Sequence, residues 1–296
     1  MKRTETVHLV YFTGTGGTKR VADSLGQAFS RRGLKVQTTE LNARPHEPVE
    51  ADLLVLAYPV YACNAPTPVD EWVAAAPDGT GREAAVVSVS GGGEVTPNTA
   101  CRADVIRRLE RKGYRIAGEA MFVMPANLFI AYDDALCAML LQAAPKKAEA
   151  FVSAVLSGNG DRMRPHPWDR VLAKLCTIEK MGDGFFGQKL KANDDCVSCG
   201  WCQAHCPRGN IKMRGGKPYF SNRCVICLRC VYGCPRRGIE PSIARFTILK
   251  DGFNLAAVEA RTWDQTSFPP VEELTPGKAR AGVRAYLLAD ETAPQA

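Results

Sequence analysis

Eight of the chain's twelve cysteines fall into two runs that share the spacing C-x2-C-x2-C-x3-C-P. The runs contain Cys196, Cys199, Cys202 and Cys206, and then Cys224, Cys227, Cys230 and Cys234. Thiolate sulfur is the soft ligand that iron-sulfur clusters require, although clustered cysteines also form disulfide frameworks and zinc knuckles. Neither alternative explains the third cysteine of each run, the following prolines and the duplication together. The spacing therefore predicts two [4Fe-4S] clusters.

The two runs resemble those of bacterial two-cluster ferredoxins. In that family the fourth cysteine of each run binds the cluster of the other run. The resemblance implies that one cluster is bound by Cys196, Cys199, Cys202 and Cys234, and the second by Cys224, Cys227, Cys230 and Cys206. It also implies a small C-terminal α+β domain of the bacterial ferredoxin-like type, which we expect over residues 193–241.

The chain before the cysteine runs alternates between apolar strands and helical patterns. Strands are predicted at residues 7–12, 35–41, 53–58, 84–89 and 116–123, and helices near 68–76, 99–112 and 134–156. A further helix follows the first strand, because apolar residues recur at helical spacing from Val21 to Phe29. Five strands separated by helices predict an α/β fold with a doubly wound five-stranded parallel sheet. Its ligand site should lie at the carboxyl ends of the strands.

A loop rich in glycine and threonine follows the first strand, at the expected mouth of the sheet. Its residues are Thr13, Gly14, Thr15, Gly16, Gly17 and Thr18. Backbone N–H groups in such a loop, together with the start of the next helix, form a site for a phosphate. The loop is neither a Walker A motif nor the dinucleotide fingerprint G-x-G-x-x-G, because Lys19 stands where the last glycine would be.

The loop TGTGGT resembles the phosphate loop of flavodoxins, which implies that it holds the phosphate of FMN. Two later loops lie where that family contacts the flavin ring: Tyr58, Pro59, Val60, Tyr61 and Ala62, and then Ser90, Gly91, Gly92 and Gly93. Tyr61 is the predicted stacking residue, with Tyr58 as the second choice. Classical flavodoxins offer an aromatic residue from the second ring loop. Three glycines here predict a ring face that is open or covered by backbone.

The two parts together resemble the fused flavodoxin-ferredoxin electron-transfer proteins of anaerobic and facultatively anaerobic microbes. The resemblance implies a flavodoxin-like FMN-binding domain over residues 1–157 and a linker helix and seam over 158–192. Residues 242–296 are expected to form a strap over the flavodoxin half and a loose end after Leu288, with a strand and turn within 245–255. Trp168, Phe185 and Phe186 are expected to fill the seam. The remaining cysteines, Cys63, Cys101, Cys137 and Cys176, are expected to have packing roles.

The formal net charge of +7 does not indicate a nucleic-acid partner. Two oxidised clusters and an FMN phosphate would each add about −2 and offset most of the excess. No apolar run approaches the roughly 20 residues that a membrane-spanning helix needs, and the N-terminus passes directly into a strand pattern without a signal-peptide core. We therefore expect no membrane insertion and a cytoplasmic location, where clustered thiols stay reduced.

These features predict an electron-transfer iron-sulfur flavoprotein that passes electrons between two [4Fe-4S] clusters and FMN. Its partner would be a redox protein, either a ferredoxin or a neighbouring oxidoreductase. The alternative is a reductase whose flavin acts directly on a small molecule such as a quinone or tetrapyrrole. A carrier should present the flavin edge at a surface, whereas an enzyme should bury it beside an apolar pocket. No nicotinamide-binding fingerprint supports an NAD(P)H-oxidising reductase.

Overall fold

Five parallel strands form the main sheet, in the order β2-β1-β3-β4-β5. Their bounds are β1 (Thr6–Tyr11), β2 (Lys35–Glu40), β3 (Leu53–Pro59), β4 (Glu83–Ser90) and β5 (Arg115–Val123). The computed structural model describes residues 4–44, 49–263 and 268–289, without the side chains of residues 178–181. This strand order is that of flavodoxin-like doubly wound sheets. The predicted α/β class and the five parallel strands are confirmed.

Helices cover both faces of this sheet. They are α1 (Gly17–Arg31), α2 (Thr67–Ala75), α3 (Ala103–Arg111) and α4 (Asp134–Leu156). Side chains alternate along β1, so that Val7 and Leu9 pack with α1 and α4 while Val10 packs with α2 and α3. Because both faces are buried, β3 and β4 are almost continuously apolar, which is why the sequence predicts them well.

The helix predicted over residues 99–112 is interrupted. A 3-10 turn at Asn98–Ala100 is separated from α3 by Cys101 and Arg102. The Arg102 side chain is 1% exposed, and its Nε and Nη1 donate to Glu119 Oε2 and Ser88 Oγ, each at 2.7 Å. It also pairs with Glu94. Where a continuous helix was predicted, the buried guanidinium of Arg102 forms a hydrogen-bond network that joins the start of α3 to β4 and β5.

We expect Arg102→Met to lower the free energy of unfolding by about 3–5 kcal/mol, because it leaves the buried Glu119 carboxylate without its main partner. The matched control is Arg107→Met on α3, where an exposed pair with Asp104 should contribute about 0–1 kcal/mol. Urea unfolding followed by far-UV circular dichroism compares the two variants. Equal midpoints would show that the buried network does not stabilise the fold.

A long helix, α5 (Pro167–Gln188), leads into the cysteine-rich part. The elements that follow are β6 (Leu190–Ala192), α6 (Trp201–His205), β7 (Ile211–Arg214), β8 (Lys217–Phe220), α7 (Arg229–Tyr232) and β9 (Ile239–Pro241). Strand β6 pairs antiparallel with β9, and β7 pairs antiparallel with β8. The second cysteine run repeats the first after the interval from Cys196 to Cys224. When the elements around the first run are moved along the sequence by this interval, β6 falls on β8, α6 on α7 and β7 on β9. The duplicated sequence is therefore a duplicated structure, in which each strand pair takes one strand from each copy.

The last part of the chain packs on the main sheet's helices. Its helices are α8 (Leu255–Glu259), α9 (Val271–Leu274) and α10 (Ala281–Leu288), and all three contact α4. The strand predicted within residues 245–255 is wrong: Arg245–Thr247 form a 3-10 turn, and Ile248 makes a single bridge to Leu128. The predicted loose end falls mostly on residues 290–296, which lie outside the described residues. In the described ranges, no helix has the length and apolar character needed to cross a bilayer.

Candidate functional site

A cavity of about 380 Å³, called the strand-end cavity below, lies at the carboxyl ends of the parallel strands. Its walls come from the loops after β1, β3, β4 and β5, which is where ligands bind in open α/β sheets. Most of the predicted flavin-loop residues line it: Thr13, Gly14, Thr15, Gly17, Thr18, Pro59, Val60, Tyr61, Ala62, Ser90, Gly91 and Gly92. The topology therefore brings the three loops, which are far apart in sequence, to one cavity.

Three predicted residues do not line this cavity. Tyr58 is completely buried and its hydroxyl donates to the Cys101 carbonyl at 3.3 Å, so its side chain belongs to the core. Gly93 packs against the backbone of Gly282, where an added Cβ would lie 2.6 Å from a carbonyl carbon. Gly16 has a left-handed backbone (φ 98°) just before α1, so it shapes the loop.

The loop after β1 presents hydrogen-bond donors to the cavity. The Gly16 N–H donates to Thr13 Oγ1 at 3.2 Å, which closes the turn. At the first turn of α1, Gly17 and Thr18 have N–H groups without a partner inside the helix, as in any helix, and both residues line the cavity. Asn127 Nδ2 donates to Thr15 Oγ1 at 2.8 Å from the turn after β5. This arrangement suits an anion such as a phosphate.

Tyr61 lies where the cavity meets the second cysteine run. Its ring packs edge-to-face on Phe12, with centroids 6.3 Å apart. Burial raises the pKa of Tyr61 well above its ordinary value, and the neighbouring Cys227 thiol raises it further. A Cβ on Gly14 would lie 2.6 Å from the Tyr61 hydroxyl and 2.4 Å from the Cys227 carbonyl. Glycine is therefore required at position 14 because three segments meet there.

The glycines after β4 allow a close approach of backbone. An added Cβ on Gly91 would lie 2.8 Å from the Cβ of Ala126, in the turn that follows β5. The Tyr132 hydroxyl donates to the Gly91 carbonyl at 2.5 Å. The turn after β5, together with Tyr132, thus packs against this loop.

Other parts of the cavity wall come from segments that local sequence patterns did not assign to it. Met124, Pro125, Ala126, Asn127, Leu128, Phe129, Ile130 and Tyr132 follow β5. Asp183 comes from α5, and Phe253 and Ala279 come from the C-terminal part. Val225, Ile226 and Leu228 come from the second cysteine run. Of these residues, Asn127 has a sequence signal, because it is the polar residue of the turn MPANL that directly follows the fifth predicted strand.

The eight cysteines of the two runs surround two small cavities, four at each. One is lined by Cys196, Cys199, Cys202 and Cys234, the first cysteine group, and the other by Cys206, Cys224, Cys227 and Cys230, the second cysteine group. Each group thus contains three cysteines of one run and the fourth of the other. Within the described residues, no three histidine, cysteine or acidic side chains converge on a position for a single metal ion. The ligands of a [4Fe-4S] cluster surround four separate irons and need not converge in this way.

Backbone conformation repeats between the two cysteine groups. Left-handed residues occur at Ser198 and Gly200 in the first run and at the equivalent Ile226 and Leu228 in the second. Isoleucine is rarely left-handed, so Ile226 is held there by its surroundings. The N–H of Asn210 donates to Cys206 Sγ at 3.3 Å, and the equivalent Gly238 N–H donates to Cys234 Sγ at 3.2 Å. Both copies therefore turn backbone donors toward sulfur.

Burial strongly disfavours free thiolates in the second group. It raises the pKa of the Cys224 thiol to about 12, and it raises the pKa of Cys227 and of Cys230 as well. Neighbouring cysteines of the same group, Cys206 among them, raise these pKa values further. Thiolates at these positions need positive charge nearby, which metal ions supply.

Arg229 of the second run holds the loop after β1. Its Nε donates to the Gly14 carbonyl at 3.0 Å, and its Nη2 donates to the Thr13 carbonyl and to Glu40 Oε1, each at 2.7 Å. These bonds join residues more than 180 positions apart in sequence. They fix the second cysteine group against the cavity.

We expect Arg229→Gln to weaken ligand retention in the cavity about tenfold or more, because hydrogen bonds to charged groups contribute about 1.5–3 kcal/mol each. Arg208→Gln is the matched control: Arg208 pairs with Glu71 of α2 and also joins the two parts, but its pairing with Glu71 lies away from the loop after β1 that Arg229 holds. The content of the FMN expected from the sequence, measured after gel filtration, reports retention, and the content of the expected iron reports the integrity of the cysteine groups. Equal flavin loss in both variants would mean that Arg229 only helps to hold the cysteine-rich part on the parallel-sheet part and has no specific effect on the cavity.

About half of the chain is similar to solved flavodoxin structures, at TM-scores below 0.5. No family model matches the chain, and no curated protein matches it. It is similar to a flavodoxin from Streptococcus pneumoniae TIGR4 (17% identity, TM-score 0.39, 51% of this chain and 98% of that chain). It is also similar to Megasphaera elsdenii flavodoxin (23%, 0.34, 47% and 98%) and to flavodoxin 2 from Bacillus cereus (13%, 0.39, 51% and 98%). At such TM-scores the flavodoxin-like assignment rests on the strand order alone.

Proposed function

We propose that this chain is an electron-transfer iron-sulfur flavoprotein, with FMN in the strand-end cavity and a [4Fe-4S] cluster in each cysteine group. FMN exchanges electrons in pairs or singly, whereas each cluster exchanges one at a time. The observation that carries the proposal is a shared wall. Val225, Ile226 and Leu228 line both the strand-end cavity and the cavity of the second cysteine group. A flavin and a cluster bound in these cavities would be neighbours.

The residues of the strand-end cavity fit FMN. Thr15, Gly17 and Thr18 offer hydroxyl and backbone donors to a phosphate, and Asn127 orients the Thr15 hydroxyl. Tyr61 and the apolar residues of the wall would border the ring. The volume of about 380 Å³ falls in the range of cavities that hold one ligand of cofactor size.

The cysteine groups fit two clusters with different surroundings. The second group adjoins the strand-end cavity, and none of its four cysteines is exposed. The first group reaches the surface, where Cys199 is exposed and Val197 is 58% exposed. A redox partner would therefore approach the first group, and the second group would lie between it and the flavin. This order, with a surface-exposed cysteine group at one end and the flavin at the other, favours a carrier over a reductase.

The proposal is tested by stopped-flow mixing of anaerobically prepared holoprotein, with flavin and cluster absorbance followed together. A low-potential donor, either reduced ferredoxin or dithionite, should bleach both absorbance bands without any small-molecule substrate. NADH or NADPH alone should bleach neither, since no nicotinamide fingerprint is present in the sequence. Flavin-free protein serves as the control for the cluster bands. Fast bleaching by NADPH alone would make the chain a self-sufficient reductase instead.

A further inference from the structure

Two cysteines outside the cysteine runs lie side by side next to the strand-end cavity. The Sγ atoms of Cys63 and Cys176 are 3.6 Å apart. Cys63 belongs to the loop after β3 and Cys176 belongs to α5, and both are partly exposed. A disulfide needs the sulfurs at about 2.05 Å, so a bond requires the two sulfurs to approach by about 1.5 Å. Two accessible thiols in contact can react with each other, so their role need not be limited to packing.

The backbone holds the two thiols together. Ala62 and Cys63 are consecutive non-glycine residues in the left-handed region, with φ 45° and 56°. Asn64 Nδ2 donates to the Ala173 carbonyl on α5 at 2.7 Å in a buried hydrogen bond, one turn before Cys176. The strained loop is therefore fixed to the helix beside the sulfur contact. Such strain concentrates at functional positions.

We propose that Cys63 and Cys176 form a redox-active dithiol site, which is oxidised reversibly to a disulfide by a low-molecular-weight disulfide. One thiol loses its proton, and the thiolate attacks a sulfur of the oxidant and expels one thiolate. The second cysteine then attacks the mixed disulfide and expels the other. The pair gives up two electrons and two protons, one S–S bond forms and one breaks, and the oxidant leaves as two thiols.

The other cysteines outside the runs are poor competitors for this reaction. Cys101 and Cys137 are buried. Burial raises the pKa of the Cys137 thiol to about 12, and it also raises the pKa of Cys101. Their thiolates, which are the reacting species, are therefore scarce near neutral pH. They provide internal controls for selectivity.

Oxidation would give the cavity wall a covalent tether. The loop that contains Cys63 contributes Val60, Tyr61 and Ala62 to the wall, and α5 contributes Asp183. Near the end of the same helix, an added Cβ on Gly187 would overlap the side chain of Cys224. A disulfide would therefore join the loop of the strand-end cavity to the helix that packs on the second cysteine group.

Peptide mapping of oxidised holoprotein tests this directly. Protein is incubated anaerobically with oxidised glutathione, alkylated with iodoacetamide and digested with trypsin. Cys63 falls in the tryptic peptide 36–82 and Cys176 in the peptide 175–180, and each peptide contains no other cysteine. We expect mass spectrometry to find these two peptides joined, and dithiothreitol to separate them again. Cys101 and Cys137 should remain alkylated or free.

Variants test the mechanism independently of the cross-link. Cys176→Ser should trap glutathione as a mixed disulfide on Cys63, and Cys137→Ser should keep the cross-link. The proposal is overturned if Cys63 and Cys176 are alkylated separately in wild-type protein after the oxidant, while the cluster absorbance is unchanged. Because the wild-type measurement needs no variant, a folding defect in Cys176→Ser would not affect it.

Discussion

Replacing Cys206 with alanine is expected to halve the iron content of the anaerobically purified protein, from about eight to about four irons per chain. The lost cluster should be the one held mainly by the second run, because Cys206 lines the same cavity as Cys224, Cys227 and Cys230. FMN content should change less than iron content, since Cys206 does not line the strand-end cavity. Iron analysis and flavin absorbance after acid release give both quantities.

Double variants determine which cysteines share a cluster. If Cys206 and Cys224 bind the same cluster, the double variant should lose no more iron than either single one, because neighbours in one site are not additive. Cys206→Ala combined with Cys199→Ala should instead lose nearly all iron. The reverse pattern would show that each run binds its own cluster. Zinc in place of iron would reject the cluster assignment altogether.

Changing both hydroxyl-bearing residues of the phosphate loop, Thr15→Val with Thr18→Val, should weaken FMN binding about 10²–10⁴-fold. Each lost hydrogen bond to a charged group costs about 1.5–3 kcal/mol, and each 1.4 kcal/mol is about a tenfold change in affinity. Valine matches threonine in shape, so the loop should keep its course. Titration of flavin-free protein with FMN, followed by the quenching of flavin fluorescence, measures the dissociation constant.

Thr38→Val is the matched control for this pair, because Thr38 is an exposed threonine on β2, far from the loop in sequence and not part of the cavity. It should bind FMN like the wild type, and all three proteins should keep their iron. An unchanged dissociation constant in the double variant would place the flavin elsewhere. Loss of iron together with flavin would indicate that the substitutions disturb the contact between Gly14 and Cys227.

The α/β fold and its strands were predictable from the sequence because burial on both faces of a parallel sheet leaves continuous apolar segments. The buried network at the start of α3 was not predictable, since Arg102 pairs there with Glu119 on a different element, β5. The stretch at 245–255 was misassigned for a related reason. Its apolar residues satisfy contacts with the turn after β5, as at the bridge from Ile248 to Leu128, and do not extend a sheet.

The sequence by itself determined the chemistry available to this protein: cysteine runs at cluster spacing, and a threonine-glycine loop placed after the first strand. Such signals are local, because they depend on residue type and on spacing within one element or loop. Only the tertiary structure decided which residues meet. It placed Ile226 and Leu228 between the second cysteine group and the strand-end cavity, and it brought Arg229 to the Gly14 carbonyl across 215 residues of chain. Contacts at that separation leave no periodic trace in a single sequence, since either partner alone is compatible with many neighbours.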